Sequence, residues 1–302
     1  MKAIYKCLLL ITCLLVFNSQ VSAANGLVKI SDHVYSYLDT KGATPANSFG
    51  ANAGIILGPN YIIVVDTLIS ATEAKRFIAD IRKISDLPIK YVINTHYHLD
   101  HVFGNSEFAK LGATIISQES CKESMEKYAE STLKNIGAYG LTEQDMAGTT
   151  ASYPEITFTD TMQFDLGKIK VEIMDIGHSH TKGSIAILIP AEKVLFAGDI
   201  LFTNYHPFMI DGDIDGWEMT IDQLTTLEVD KIIPGHGPLS TKKDLQAMKD
   251  YILLFDKTAT ALAAGSNDFE QILAKMKKAL PARAELGSII GGNLKALYMK
   301  KP

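Results

Sequence analysis

His96-Tyr97-His98-Leu99-Asp100-His101 places three imidazoles and a carboxylate in six positions of a chain that has only eight histidines. In an extended segment alternate residues project to one side, so His96 and His98 share a face; a turn through Asp100 and His101 returns a carboxylate and a third imidazole to the same place. Neutral imidazole and carboxylate are ligands for zinc and for several other first-row metals. A solvated turn with incidental histidines would not follow directly on a buried apolar strand, and Ile89 to Ile93 reads as one.

The elements that must hold this cluster are legible around it. Leu27 to Leu38 alternates apolar and polar residues, and Ala53–Leu57 and Tyr61–Val65 are β-rich runs separated by the turn signal Gly58-Pro59-Asn60. Ser70-Ala71-Thr72-Glu73 has the form of a capping box, and Phe77, Ile78, Ile81 and Ile84 follow at helical spacing until Pro88 ends the run. In the second half, Phe164, Ile169, Val171, Ile173 and Ile176, then Ile185–Ile189, Val194–Ala197 and Asp230–Ile233, read as strands. Gln118–Lys134, Gly216–Leu227, Thr241–Ala264 and Asn267–Leu280 read as helices with polar outer faces. No low-complexity linker divides them, so residues 24–302 are expected to form one α/β (α+β) domain, a mixed sheet sandwich with helices outside.

The run HYHLDH resembles the His-x-His-x-Asp-His signature of the metallo-β-lactamase superfamily, and the likeness continues along most of the chain. Val64-Val65-Asp66-Thr67 is similar to an early strand of that family ending in an aspartate. His180-Thr181-Lys182-Gly183-Ser184, Phe196-Ala197-Gly198-Asp199 and Pro234-Gly235-His236-Gly237 resemble its next three motifs, in order. The resemblance implies a four-layer αββα sandwich with two adjacent metal ions, zinc first and iron or manganese as alternatives. It implies that His96, His98 and His180 hold one metal, that Asp100, His101 and His236 hold the other, and that Asp199 bridges them. Asp66 would fix the tautomer of a liganding imidazole without touching metal. His178, two residues before His180, is then a polar loop residue.

Two metals of this kind imply hydrolysis, with Asp100 also taking part in proton movement. Lys182, and Tyr205 in a loop after Asp199, are candidates for contact with substrate. The bridging aspartate and Pro-Gly-His-Gly are more similar to thioesterase and lactonase relatives than to the zinc β-lactamases. The expectation is therefore cleavage of a small amide, ester or thioester, with β-lactam hydrolysis as the first alternative. An iron-dependent redox enzyme of the same fold, similar to persulfide dioxygenases, is the second.

Composition narrows the partners. Residues 1–23 carry Lys2 and Lys6, a predominantly apolar run from Cys7 to Phe17 and the small-residue site Val21-Ser22-Ala23, the pattern of a cleaved secretory signal. A run of this length is short of the roughly 20 residues needed to span a bilayer, so a periplasmic or secreted protein without a stable membrane anchor is expected. Removing the two lysines leaves 27 basic against 34 acidic residues, a formal charge of −7. That sign, with no basic run near any motif, argues against nucleic acid. Only Cys121 of the three cysteines would remain, in a helical segment. The apolar segment Ile200–Ile210 is a candidate wall for a small-molecule substrate.

Overall fold

Runs of β-branched residues set two sheets in the computed structural model, which describes residues 26–299; the expected leader, residues 1–23, lies outside the described residues. The first sheet takes its strands in chain order: β1 (Val28–Lys29), β2 (Val34–Ser36), β3 (Gly54–Leu57), β4 (Ile62–Val65), β5 (Ile89–Ile93), β6 (Thr114–Gln118) and β7 (Ile156–Phe158). β1 to β4 pair antiparallel. From β4 onward the pairing is parallel, because helical crossovers return the chain to the same end of the sheet each time. The second sheet contains β8 (Thr161–Asp165), β9 (Lys170–Asp175), β10 (Ile185–Ile189), β11 (Val194–Phe202) and β12 (Lys231–His236), with only β11 and β12 parallel.

The alternation of side chains across each strand sorts three hydrophobic layers. Ile63, Val65 and Ile93 of the first sheet meet Ile173, Ile187 and Phe196 of the second between the sheets. Their neighbours Ile62, Val64 and Val92 point the other way, against Phe77 and Ile81 of α1 (Ala71–Arg82) and Phe108 of α3 (Asn105–Ala109), which follows the single turn α2 (Leu99–Val102). Leu188, Leu195 and Ile232 cover the opposite side. There they meet Trp217 and Ile221 of α5 (Ile214–Thr226) and Leu245, Ile252 and Phe255 of α6 (Lys242–Gly265). The layers are therefore helix, sheet, sheet, helix. A smaller cluster gathers Val102, Phe103, Cys121, Met125 and Ala129 under α4 (Glu119–Lys134), and α7 (Phe269–Ala279) and α8 (Ile289–Asn293) close the second helical layer.

Three boundaries differ from those the periodicity predicts. The Leu27–Leu38 run is split into β1 and β2, which pair with each other across the turn at Ser31-Asp32. β6 follows Gly112 without a distinctive alternation of its own; it is a central parallel strand, buried on both faces. β11 continues past Ala197 to Phe202 with all nine residues buried, and its register against β12 shifts on both sides of Gly198. α1 begins where expected, with the Ser70 hydroxyl accepting from the Glu73 N–H at 3.3 Å. No helix among the described residues is long and apolar enough to cross a membrane.

Candidate metal centre

The site lies where strands of both sheets run out at one edge. β4 delivers Asp66, β5 delivers Thr95 and His96, β12 delivers His236, and His180 precedes β10. Asp199 sits inside β11 at the irregular register, where the bulge re-aims a side chain of an otherwise regular strand. Gly235 makes room for it: a Cβ on Gly235 would stand 1.8 Å from the Asp199 Oδ1. Gly237, with φ of +106°, carries β12 past the Thr203 carbonyl, which a Cβ would meet at 2.0 Å. The histidine loop is closed at its base by a buried amide pair. The Asn105 amide donates to the Asn94 carbonyl oxygen at 2.8 Å and the Asn94 amide donates back at 3.0 Å, while Thr67 donates to Asn105 at 2.9 Å.

Five imidazoles and two carboxylates converge, and the outer hydrogen bonds of most rings decide which nitrogen faces inward. Asp66 Oδ2 accepts from His101 Nδ1 at 2.9 Å, leaving His101 Nε2 3.2 Å from Asp199 Oδ1 and 3.6 Å from Asp100 Oδ2. The Thr95 hydroxyl donates to Asp66 at 2.7 Å, so it can accept from His96 Nδ1, 3.1 Å away; His96 Nε2 then lies 3.6 Å from Asp199 Oδ2. His236 Nδ1 donates to the Phe49 carbonyl at 3.1 Å and turns Nε2 to Asp100 at 3.3 Å and Asp199 at 3.5 Å. His98 Nε2 donates to Asp211 at 2.9 Å, which sets its Nδ1 2.9 Å from His180 Nε2. The sixth ring, His178, is exposed and bonded to the Asp211 carbonyl at 2.9 Å, outside the cluster.

The ligand atoms fall into two groups, each within 4.8 Å: His96, His98, His180 and Asp199, and then Asp100, His101 and His236. Among the described residues, His96 Nε2, His101 Nε2 and Asp199 Oδ1 are buried with no hydrogen-bond partner. Buried polar atoms are seldom left unpaired, and three of them aimed at one point fit cations. The electrostatics agree. Burial disfavours a charged His236, yet Asp199 and Asp100 raise it to about 9. Burial also opposes charge on Asp199, but His101, His236 and His96 hold its carboxyl well below the usual range. His180, with burial dominant, is lowered to about 3. The centre is thus built to hold positive charge beside Asp100 and Asp199, and a metal taking that place must displace protons.

Asp66 itself adopts a left-handed backbone with φ of 58°. Aspartate tolerates that region better than most residues, and here it turns the carboxylate back toward β5.

A cavity of about 490 Å³ opens onto Asp100, Asp199 and His236. Lys182 does not line it; it is exposed in a neighbouring polar groove with Lys127 and His178. Tyr205 corrects the expectation of a substrate contact. It is fully buried, its hydroxyl is donated to the Thr40 carbonyl and its ring packs 5.6 Å from that of His236. The loop was expected at the mouth because Asn204-Tyr205-His206-Pro207 reads as polar, but the segment folds inward onto α6 and the chain near Glu285. Of the apolar run after Asp199, Phe202 and Phe208 reach the cavity, while Ile200, Leu201 and Met209 belong to the core. Motif reading missed Thr95, Tyr97 and Asp211. The first two stood inside the histidine run as candidates for hydrogen bonding; Asp211 had no local signal, since only the fold returns it to His98.

The chain is similar to several characterised proteins. It is 25% identical over 232 residues to the linear primary-alkylsulfatase of a Pseudomonas strain, covering 64% of this chain but 42% of that one. It is 21% identical over 224 residues to the type 2 metallo-beta-lactamase of Bacteroides fragilis, covering 72% and 81%. With the hydroxyacylglutathione hydrolase of Brucella ovis the identity is 26% over 202 residues, covering 66% and 65%. The chain therefore spans less than half of the alkylsulfatase and about two thirds of the hydroxyacylglutathione hydrolase. Among solved structures, a metallo-beta-lactamase from Pontibacter korlensis superposes with a TM-score of 0.60 at 18% identity, covering 75% of this chain and 98% of that one, and so shares the fold. The sequence profile of the metallo-beta-lactamase superfamily matches residues 47–236, a span that takes in every ligand position from His96 to His236, and the chain belongs to that superfamily.

Proposed function

We propose that this protein is an exported hydrolase that holds two zinc ions and cleaves a small carbonyl substrate, an amide, ester or thioester. The observation that carries this reading is the convergence of seven candidate ligand residues in two adjacent groups, with buried atoms of His96, His101 and Asp199 left unpartnered, beside a cavity lined by Asp100, Asp199 and His236. His96, His98 and His180 would hold one cation, Asp100, His101 and His236 the other, and Asp199 both. When bound, such a pair lowers the pKa of a coordinated water and polarises a carbonyl oxygen.

The chain's own groups do the rest. Asp66, the Phe49 carbonyl and Asp211 keep the outward protons on His101, His236 and His98, so that each ring turns its lone pair inward. Asp100 faces the cavity with Oδ2 against His236, placed to take a proton from the attacking water and return it to the leaving atom. Cavity walls that carry no lysine or arginine among the described residues favour an uncharged carbonyl over a phosphodiester.

β-Lactam hydrolysis is the second reading. It is supported by the similarity to the Bacteroides enzyme over 81% of that protein's length. The deciding experiment is a panel of nitrocefin, a thioester, a lactone, dodecyl sulfate and bis-p-nitrophenyl phosphate at matched zinc. The reading expects the highest kcat/KM on a carbonyl compound; a preference of about tenfold or more for the phosphodiester or the sulfate ester would overturn it. Metal analysis of protein purified without added metal separates zinc from the iron of a redox enzyme.

A further inference from the structure

We propose that the cavity beside the metal centre is an acyl groove: it takes a substrate whose carbonyl group carries an uncharged, extended apolar arm. The inference rests on the hydrolase reading, because it assigns the reacting end of the substrate to Asp100, Asp199 and His236 among the cavity's lining. Its volume of about 490 Å³ falls within the range of small-molecule sites. Met125 and Ala129, one turn apart on α4, form the floor, 2% and 4% exposed and continuous with the cluster of Val102 and Phe103. Phe208 and Ile289 come from chain segments remote from α4 and also line the cavity.

Charge points the same way. Among the described residues, the ionisable side chains lining the cavity are Asp100, Asp199, Asp211, His98, His236 and the tyrosines, with no lysine or arginine. An anionic tail would meet no fixed cation there and would lose its hydration. The nearby ammonium groups, Lys127 and Lys182, belong to a second, polar groove. Tyr97 and Tyr128, stacked with centroids 5.9 Å apart, line both spaces and so stand between them. The apolar arm is thus sorted from the polar groove by a wall of two rings. A thioether at Met125 adapts to arms of different shape.

Binding to zinc-loaded protein, followed by calorimetry, tests this with three carboxylates: acetate, decanoate and the ten-carbon diacid sebacate. Decanoate is expected to bind at least about 100-fold tighter than acetate, since several methylenes leave water. Sebacate, with a second charge at the far end, is expected to lose at least about tenfold relative to decanoate. Ala129→Phe, which fills the floor, is expected to cut the decanoate-to-acetate ratio by about tenfold. Decanoate binding no tighter than acetate, or sebacate equal to decanoate, would overturn the groove assignment whether or not the protein is a hydrolase. Tight decanoate binding without cleavage of any carbonyl substrate would uphold the groove and overturn the hydrolase reading instead.

Discussion

Asp66 shows how much of the site is decided one residue away from any ligand atom. It accepts from His101 Nδ1, from the Thr95 hydroxyl and from the Thr95 N–H at 2.8 Å, so a single carboxylate orients one ring directly and a second through Thr95. Asp66→Asn keeps the shape but can no longer accept at both oxygens. Metal affinity in that variant should fall about 10–100-fold with the far-ultraviolet spectrum unchanged, as read by competition with a chromogenic chelator; wild-type affinity would reduce Asp66 to a buried structural group. The clustering of the seven candidate ligands was legible because each sits in a short motif with its own spacing. Asp211 was not, because one of three alternating aspartates in Asp211-Gly212-Asp213-Ile214-Asp215 acquires meaning only when the loop folds back to Tyr97 and His98, where its Oδ2 accepts from both at 2.7 and 2.9 Å. Tyr205 misled for the converse reason: a polar tip in a loop looks available until its hydroxyl is found spent on the Thr40 carbonyl.

At the scale of elements, the pairing of β11 with β12 builds the bridge between the two ligand groups. The register shift around Gly198 turns Asp199 inward, and Gly235 on the neighbouring strand leaves the space its carboxylate occupies. Gly235→Ala should therefore lower bound metal below two equivalents and depress the melting temperature by several degrees, because the added methyl also meets the backbone at Gly198. Gly291→Ala is the control. Its Cβ would find nothing nearer than 3.5 Å, so metal content should stay at the wild-type level. Element content was readable where helical spacing was clear, as in α1, or where β-branched residues ran on, as in β4, β5 and β10. β6 was not, since its two isoleucines stand between Thr114 and the polar Ser117-Gln118 that lead into α4, and the extension of β11 to Phe202 was hidden because its apolar run continues unbroken past Asp199.

For the whole molecule, the layers followed from alternation, whereas the cavity wall did not: Met125, Phe208 and Ile289 are brought together only by the closed fold. His206 ties part of that closure together, pairing through Nδ1 with the Tyr251 hydroxyl at 2.7 Å. Burial, and then Arg283, lowers its pKa to about 4. The folded value lies below the ordinary histidine value of 6.5, so the unfolded chain binds the extra proton first as pH falls. The stability from neutral His206 is complete above about pH 6.5 and is lost as pH falls toward 4. His206→Gln should be less stable than wild type at pH 7, and the gap in melting temperature should close by pH 4. A gap that stays constant across that window would mean that His206 is not held neutral.

If the seven residues form one centre for two metals with Asp199 between them, the protein binds two zinc ions per chain. Zinc per chain, measured after loading folded protein and removing free metal by gel filtration, addresses it most directly. Two equivalents are expected for the wild type and fewer than two for Asp199→Ala. One equivalent or none in the wild type, or two retained by the variant, would contradict it.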